Sequence, residues 1–359
     1  MGEVAVAIPG DLATPTGGYV YARRLIAALP AEGWTPRLLS LPDGFPFPDA
    51  RAFAETDAAL AKLAEGMIVL VDGLAFGALP AKLLRAHSLT YVALVHHPLA
   101  AETGLSPETA AALARSERLA LAHAARVIAT SQHTARRLAA DYGVPSDRLA
   151  VARPGVDPAP CAEGSGSHGP LLLTVATLTP RKGHLALVAA LDGLRDLPWR
   201  AVFAGSTARH PATTAAVRQA IDAAGLQERI ILSGAVDGDD LDALYATADL
   251  FVLPSVYEGY GMAFAEALVC GLPVIGCAVG AVPETVPADA GILVPPDDPA
   301  ELAKAIGRVL ADRGLRAAMA AAARRAGLAL PRWSDTAREI AAVLNNLKIS
   351  SARSNRVAG

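Results

Sequence analysis

The fold class is decided by one short stretch of sequence, Ser255-Val256-Tyr257-Glu258-Gly259-Tyr260-Gly261-Met262-Ala263-Phe264-Ala265-Glu266. An apolar run from Asp249 to Leu253 precedes this stretch and has the length and composition of a buried strand. Pro254 ends that strand, and an apolar helix is predicted from about Met262. The stretch therefore predicts a strand, a turn and a helix in immediate succession, which is typical of α/β sheets.

The turn in this stretch is suited to a ligand. Gly259 and Gly261 flank Tyr260, and glycine lets a backbone approach a ligand closely. The unpaired N–H groups at the start of the following helix attract phosphate, and the carboxylates of Glu258 and Glu266 can accept hydrogen bonds from neutral hydroxyl groups. We therefore expect an anion held by backbone and a sugar-like group held by carboxylates. An ordinary strand, turn and helix with two surface glutamates is the alternative.

The composition is that of a globular protein with two domains. The chain has 359 residues, of which 52% are hydrophobic and 19% are charged. A net charge of −3 gives no indication of nucleic-acid binding. No run of about 18 apolar residues and no basic-then-apolar leader occurs, and the three cysteines have neither metal nor disulfide spacing. We therefore expect a cytoplasmic protein.

Apolar runs alternate with helical patterns along the chain, which predicts parallel sheets covered by helices on both faces. The predicted strands are 4–8, 36–41, 68–71, 90–95, 127–129, 149–152, 171–176, 201–204, 230–232, 250–253, 274–276 and 292–294. The predicted helices are 19–29, 51–63, 78–86, 107–123, 132–141, 184–194, 212–224, 238–246, 262–269, 299–310, 313–327 and 334–346.

The alternation is interrupted once, where a segment is rich in proline, glycine and serine. We predict two doubly wound domains, 1–157 and 171–330, a linker at 158–170, and a ligand crevice between the domains. A C-terminal helix is predicted at 331–346. The polar remainder, 347–359, is predicted to be a flexible tail, and weak contact with a membrane surface is its alternative function.

Loops after the predicted strands of the first domain carry further candidate site residues. Gly17 and Gly18 follow the first strand and open a helix, which suits a phosphate or a closely approaching sugar, although a plain tight turn is equally compatible. His96 and His97 follow the strand that ends at Val95, where either could hydrogen-bond a sugar hydroxyl. Two adjacent histidines without a third ligand do not indicate a metal site.

The second domain has two adjacent cations in the corresponding place. Arg181 and Lys182 follow its first strand and precede a helix, so that they could neutralise a diphosphate without a metal ion. Gly280 would let further backbone N–H groups approach the same phosphates. A solvent-exposed basic turn is the alternative. All of these residues follow the carboxyl ends of strands, so their joint occurrence is more specific than any one of them.

With these residues the chain resembles the family 4 glycosyltransferases over nearly its whole length. Glu258 and Glu266 are spaced as in the E-x7-E motif of that family. The other landmarks occur in the family's order: Gly17-Gly18, His96-His97, Pro180-Arg181-Lys182-Gly183 and the loop from Gly280 to Glu284. The resemblance implies the GT-B fold, with two Rossmann-like domains facing a central cleft and a last helix, 331–346, that crosses back to the first domain. It also implies a retaining, metal-independent sugar transfer from a UDP- or GDP-sugar, bound by the second domain, to an acceptor on the first.

The resemblance also implies a role for each site residue. Glu258 would contact the transferred sugar, Glu266 the ribose, and Lys182 the diphosphate with the help of Arg181. Gly17 and Gly18 would close over the phosphates, and Val236 would lie near the base. His97 would lie near the sugar, with His96 as the second choice. The predicted catalytic residues are His97, Arg181, Lys182 and Glu258. The predicted donor-binding residues are Gly17, Gly18, Arg181, Lys182, Val236, Glu258, Gly259, Tyr260, Gly261, Met262 and Glu266.

One position departs from the family's pattern. Thr177 stands where the family often has an arginine, five positions before the lysine, and we expect Arg181 to supply the missing cation from a different place. Two other functions remain compatible with the sequence: an enzyme of this fold that acts on the sugar nucleotide itself, such as an epimerase or a phosphorylase, and a non-catalytic sugar-nucleotide-binding protein. A nicotinamide-dependent dehydrogenase is disfavoured because its glycine spacing is absent. The sequence names neither the acceptor nor the donor's base and sugar, nor an oligomeric state.

Overall fold

A computed structural model describes residues 2–166 and 169–357 of the chain. The chain divides into two units, of which the first is Met1–Gly155 with Pro331–Gly359 and the second is Val156–Leu330. Each unit has its own parallel sheet and its own hydrophobic core. Within the described ranges no helix combines the length and the apolar composition that crossing a membrane requires.

The first unit is built on a six-stranded parallel sheet. Its strands are β1 (Gly2–Pro9), β2 (Trp34–Leu41), β3 (Ile68–Asp72), β4 (Thr90–Val95), β5 (Arg126–Ala129) and β6 (Leu149–Val151), in the order β2-β1-β3-β4-β5-β6. Every residue of β3 is buried, as is the run from Val4 to Pro9 in β1. Continuous apolar runs are expected where helices cover both faces of a parallel sheet, and this is why the sequence located these strands.

The helices of the first unit include the last one in the chain. They are α1 (Gly17–Ala28), α2 (Ala50–Leu60), α3 (Gly73–Phe76), α4 (Ala81–Ala86), α5 (Pro107–Leu121), α6 (Gln132–Tyr142) and α14 (Trp333–Val357). In α14 the side chains of Ala337, Ile340 and Leu344 are fully buried, and the Trp333 ring meets the Tyr21 ring of α1 edge-on at 5.6 Å. The helix therefore completes the core of the unit in which the chain begins.

The end of α14 differs from the sequence prediction. The sequence predicted a helix to residue 346 and a flexible tail beyond it, whereas the helix continues to Val357. No glycine or proline occurs between residues 347 and 357, so no residue in this stretch is a strong helix breaker. The last two residues of the predicted tail, 358–359, lie outside the described residues.

The second unit repeats the architecture. Its strands are β7 (Leu171–Val175), β8 (Arg200–Ala204), β9 (Ile230–Gly234), β10 (Leu250–Leu253), β11 (Val274–Cys277) and β12 (Gly291–Val294), in the order β12-β11-β10-β7-β8-β9. Its helices are α7 (His184–Asp192), α8 (Pro211–Ala223), α9 (Gly238–Thr247), α10 (Met262–Val269), α11 (Val282–Thr285), α12 (Pro299–Ala311) and α13 (Arg313–Leu328). The strands of both units coincide with predicted ones to within about two residues at their ends.

The segment predicted as a linker, 158–170, lies in the second unit where it is described. The Ala162 N–H donates to the Cys270 carbonyl at 2.8 Å. The carboxylate of Asp249 accepts bonds from the N–H groups of Ser165 and Leu171. This segment is therefore tied to the second unit by backbone hydrogen bonds, whereas residues 167–168 lie outside the described part of the chain.

Each sheet has one point where the strand order reverses. In the first unit it lies between β1 and β3, and in the second between β7 and β10. In open α/β sheets ligands bind at this switch point, outside the carboxyl ends of the strands. The loops after β1, β3, β7 and β10 are therefore the places where site residues are expected.

Candidate functional site

Arg181, Lys182 and Glu258 meet at the switch point of the second unit. The two cations lie in the turn after β7, and Glu258 lies in the loop after β10. Lys182 Nζ donates to Glu258 Oε1 at 2.6 Å, and Arg181 Nη1 lies 3.5 Å from Glu258 Oε2. The Ser255 hydroxyl also donates to Oε1, at 2.6 Å. The structure thus brings together three residues that the sequence predicted for one site.

This cluster is buried and charged. Glu258 is only 5% exposed. Burial opposes ionisation of its carboxyl group, but the charges of Lys182 and Arg181, with hydrogen bonds from Lys182 and Ser255, outweigh burial and lower its pKa. Arg181 and Lys182 place two cations beside this carboxylate, and cations at such a position suit an anionic ligand.

Backbone packing fixes the loops around this cluster. Gly183 has a φ of +71°, and a Cβ atom there would lie 2.1 Å from the carbonyl oxygen of Pro254. Gly280 has a φ of +53°, and a Cβ atom there would lie 2.0 Å from the carbonyl oxygen of Glu258. That carbonyl accepts a hydrogen bond from the Ala281 N–H at 3.0 Å. Glycine is therefore required at both positions for the loops after β7, β10 and β11 to approach one another.

Besides its contact with Glu258, Arg181 has further hydrogen bonds to the loop after β10. Its Nη1 donates to the Tyr257 carbonyl at 3.0 Å, and the Val256 N–H donates to the Arg181 carbonyl at 2.9 Å. Thr177, where the family often has arginine, lies half-buried in the loop after β7. The guanidinium of Arg181 therefore lies beside Glu258, as a cation of the site would, although it enters from another position in the loop.

Glu266 lies in the middle of α10 and has a partner on α9. The Tyr245 hydroxyl donates to Glu266 Oε2 at 2.8 Å. Burial of the Tyr245 ring, with the nearby charge of Glu266, raises the tyrosine pKa well above its ordinary value, so the phenol stays protonated and acts as the donor. The sequence predicted Glu266 but gave no signal for Tyr245, which looks like an ordinary core tyrosine in a helical pattern.

The turn between Glu258 and α10 consists of the residues that the sequence predicted around a phosphate. The chain passes through Gly259, Tyr260 and Gly261 and enters α10 at Met262. The carbonyl of Tyr260, a residue that is 7% exposed, accepts a hydrogen bond from the Thr285 hydroxyl at 3.2 Å. The amino end of α10 therefore follows a turn that neighbouring elements hold in place.

Val236 lies between β9 and α9 and is half-buried. It packs against the core cluster to which Tyr245, Phe251 and Phe264 belong. The predicted base contact is therefore at a carboxyl end of the same sheet that carries Glu258.

In the first unit, His96 lies next to the glycine turn. A Cβ atom on Gly18 would be 3.5 Å from the His96 ring, and His96 Nε2 lies 3.4 Å from Asp72 Oδ2. The other oxygen of Asp72 caps α3 by accepting from the Leu74 N–H at 2.8 Å. His97 Nε2 instead lies 3.6 Å from Glu102 Oε2. The structure therefore brings the sequence's second choice, His96, to Gly18.

Asp72 was not predicted, although a signal for it existed. It follows the apolar run 68–71 directly, so it occupies the carboxyl end of a buried strand, as His96 does in the next strand of the sheet. Ser255 was likewise overlooked at the start of the deciding stretch. Both are polar residues at strand ends, which is the feature that located the other site residues.

Glu117 is a buried carboxylate beneath the loop that follows His97. It is 1% exposed, and its Oε2 accepts a hydrogen bond from the Leu99 N–H at 2.9 Å. Burial raises the pKa of Glu117 to about 7, against the opposing effect of the Leu99 hydrogen bond, the nearby Tyr142 hydroxyl and the charge of Arg137. This loop is therefore held by a group that titrates near neutral pH.

A metal-binding cluster is not found among the described residues, where no group of three His, Cys, Asp or Glu side chains could hold an ion. At the second switch point the side chains of Arg181 and Lys182 supply positive charge.

Comparison with known families gives the class of the chain. Residues 15–160 match the family described as Glycosyltransferase Family 4, and residues 162–326 match the one described as Glycosyl transferases group 1. Together these two matches cover nearly all of the described chain. The two doubly wound sheets, with Glu258 before α10 and Glu266 on it, agree with this family. The chain belongs to the family 4 glycosyltransferases.

Two curated relatives illustrate the range of this similarity. The D-inositol 3-phosphate glycosyltransferase of Xylanimonas cellulosilytica is 32% identical over 56% of this chain and 52% of the relative. A GDP-mannose-dependent alpha-(1-6)-phosphatidylinositol monomannoside mannosyltransferase of Mycolicibacterium smegmatis is 31% identical over 60% of each chain. The chain spans about half the length of the first of these relatives.

Solved structures show the same fold. Sucrose-phosphate synthase from Thermosynechococcus elongatus has a TM-score of 0.84 at 23% identity, covering 98% of this chain and 100% of that one. HepE from Anabaena, in complex with UDP and glucose, has a TM-score of 0.78 at 20% identity, covering 95% and 99%. The fold is therefore GT-B, as the sequence predicted.

Proposed function

We propose that this protein is a retaining glycosyltransferase that moves a sugar from a UDP- or GDP-sugar to an acceptor hydroxyl without a metal ion. The observation that carries the proposal is the buried cluster of Arg181, Lys182 and Glu258 at the switch point of the second unit. Its two cations lie at the place where α/β sheets bind nucleotides. The family of the chain and the names of its relatives support the same activity.

The cations act on the leaving group. When the bond between the anomeric carbon and the donor's phosphate oxygen breaks, negative charge grows on the diphosphate. Lys182 and Arg181 stabilise that charge from positions fixed in advance by Glu258, so no reorganisation is needed during the reaction. The acceptor oxygen bonds to the anomeric carbon on the same face, and its proton passes to the released phosphate oxygen. No enzyme nucleophile is required in this scheme.

Glu258 has two tasks in this proposal. Its carboxylate holds Lys182 and Arg181, and it also accepts a hydrogen bond from the transferred sugar. An ionised carboxylate offers about four lone-pair sites. Lys182, Ser255 and Arg181 address three of them, which leaves room for a sugar hydroxyl.

The remaining roles follow the residues that the sequence predicted. Glu266 binds the ribose, Val236 contacts the base, and the N–H groups from Gly259 to Met262 assist at the phosphates. Gly17 and Gly18 contact the phosphates in turn. For the histidine near the sugar we propose His96 in place of His97, because His96 lies beside Gly18. A cytoplasmic location stays a prediction.

Both nucleotide bases are open to test. One relative is named as GDP-mannose-dependent, and one structure of the same fold contains UDP and glucose. The first acceptor to screen is an inositol phosphate, since a relative is named for that acceptor.

Calorimetric titration with UDP, GDP and ADP in the presence of EDTA tests the proposal. One nucleotide should bind the unchanged protein, and Lys182→Ala should weaken it about tenfold to hundredfold, the effect of losing a charge-assisted hydrogen bond. Lys304→Ala is the matched control, because this lysine also pairs with a glutamate but is 71% exposed on α12. Binding that occurs without EDTA and is lost with it would contradict metal independence, and absence of binding to all three nucleotides both with and without EDTA would overturn the transferase proposal.

Transfer is measured separately. The matching nucleotide sugar and acceptor should give a product that keeps the anomeric configuration of the donor. Isomerised or phosphorolysed donor without an acceptor would favour the epimerase or phosphorylase alternative, and binding without any product would favour a binding protein.

A further inference from the structure

Tyr245 is a buried side chain that the proposed reaction does not yet use. It is 3% exposed, and its hydroxyl lies 2.8 Å from Glu266 Oε2 and 3.4 Å from the carbonyl oxygen of Ala263. Both acceptors belong to α10, whereas Tyr245 belongs to α9. The hydrogen bond to Glu266 therefore joins two helices at the side chain to which we assign the ribose.

Aromatic packing fixes the position of this hydroxyl. The Tyr245 ring stacks on Phe251 with ring centroids 6.3 Å apart and planes inclined by 21°. Phe251 in turn meets Phe264 edge-on at 5.5 Å, and both phenylalanines are fully buried. Because close-packed rings seldom change rotamer without moving their neighbours, the phenol oxygen is presented to Glu266 from one direction.

Helix α9 is linked to both residues that we assign to the nucleoside. Val236, assigned to the base, precedes α9 and packs on the core cluster that contains Tyr245. Glu266, assigned to the ribose, receives the Tyr245 hydrogen bond. Through Tyr245, the loop that contains Val236 and the carboxylate of Glu266 are therefore both held by helix α9.

We propose that Tyr245 is a positioning residue that orients the Glu266 carboxylate toward the ribose hydroxyls of the donor. This inference rests on the proposed function, in which Glu266 binds the ribose. A carboxylate whose one oxygen is held by a fixed donor rotates less about its last bond, so that paired hydroxyls meet it in a single orientation. Preorganisation of this kind raises affinity by reducing what is lost on binding.

The test compares a nucleoside diphosphate with its 2′,3′-dideoxy analogue by calorimetry. Tyr245→Phe removes the hydroxyl and keeps the ring. It should weaken binding of the ribonucleotide about tenfold, equivalent to about 1.4 kcal/mol. Binding of the dideoxynucleotide should be unchanged, because that ligand has no ribose hydroxyl that could donate a hydrogen bond to Glu266.

Tyr142→Phe is the matched control. Tyr142 also has its hydroxyl near a buried carboxylate, that of Glu117, but it lies on α6 in the first unit. This exchange removes a comparable phenol hydroxyl and should leave the affinity for both nucleotides unchanged. In the Glu266→Gln background, Tyr245→Phe should have a much smaller effect, since the two residues act as one unit.

The outcomes separate this inference from the proposed function. If no nucleotide binds the unchanged protein, the proposed function fails. If the unchanged protein binds the ribonucleotide but Tyr245→Phe binds it equally well, or loses affinity equally for the dideoxynucleotide, the positioning role is overturned and the proposed function stands. If Tyr245→Phe does not fold, the unchanged protein still tests the inference by NMR. The resonance of the isotope-labelled Tyr245 ring should shift when the ribonucleotide binds and shift much less with the dideoxynucleotide. Equal shifts would overturn the inference.

Discussion

At the scale of single residues, the contacts between charged side chains explain the state of the site better than any one residue does. Glu258 is buried yet ionised because Lys182, Arg181 and Ser255 surround it. Removing one partner from a buried pair leaves an uncompensated charge, which costs more than the pair contributes. The same residues are thus expected to matter for stability as well as for the reaction.

Exchanging the two histidines one at a time tests which of them belongs to the site. His96→Ala should lower kcat about hundredfold, the range in which positioned histidines act, because His96 lies beside Gly18 and Asp72. His97→Ala should stay close to the unchanged protein, since His97 lies with Glu102. Initial rates at saturating donor and acceptor measure both, and the reverse order would return the role to His97.

Glu117 should make folding stability depend on pH. Its pKa is raised in the folded state to about 7 from an ordinary value of 4.5, so its protonated form favours folding. The contribution is fully present below about pH 4.5 and is lost as the pH rises toward 7. As the pH rises over this interval, the free energy of unfolding of Glu117→Gln should therefore increase relative to that of the unchanged protein by on the order of 3 kcal/mol. Denaturant unfolding at several pH values measures this, and parallel pH curves for the two proteins would contradict it.

At the scale of elements, the sequence located strands well and side-chain pairs poorly. Runs such as 68–71 and 250–253 are apolar throughout because helices cover both faces, and this pattern is visible in one sequence. The helices α3 and α11 were not predicted, because four residues are too few to show a helical period. The Lys182–Glu258 contact joins loops after β7 and β10, which are neighbours only through the strand order, and the sequence does not state that order.

The loop after β7 offers a test of close packing between elements. Gly183→Ala should destabilise the protein by more than about 2 kcal/mol, since it combines a strained φ with a clash against backbone. Gly225→Ala is the control, because Gly225 also has a positive φ, of +64°, but has no atom within 4 Å of its Cβ position. It should lose about 1 kcal/mol. Equal losses, measured by denaturant unfolding, would show that the approach of Pro254 is unimportant.

At the scale of the whole molecule, the two units differ in how the chain builds them. The second unit is one continuous stretch, Val156–Leu330, whereas the first needs Pro331–Gly359 in addition to Met1–Gly155. The sequence predicted the last helix, which follows Pro331. The support that α14 gives to Tyr21 of α1 depends on a tertiary contact that no local pattern records.

Separate fragments test this difference. A fragment of residues 156–330 should fold alone and keep its secondary structure, because both of its sheet faces are covered by its own helices. A fragment of residues 1–155 should be unstable, because without α14 the cover of Tyr21 and of the helix α1 is incomplete. Circular dichroism and thermal unfolding distinguish them. Mixing the shorter fragment with a peptide of residues 331–357 should restore structure, and no gain on mixing would contradict the assignment of α14.

The placement of α14 also bears on the order in which the protein matures during synthesis. The ribosome releases residues 2–155 first, but the helix that they need emerges only after the whole second unit, Val156–Leu330. The second unit can therefore finish while the first still waits with part of its apolar surface uncovered. Of the two units, the one that is begun first is completed second, so a cell that makes this protein must protect an unfinished first unit until α14 has been synthesised.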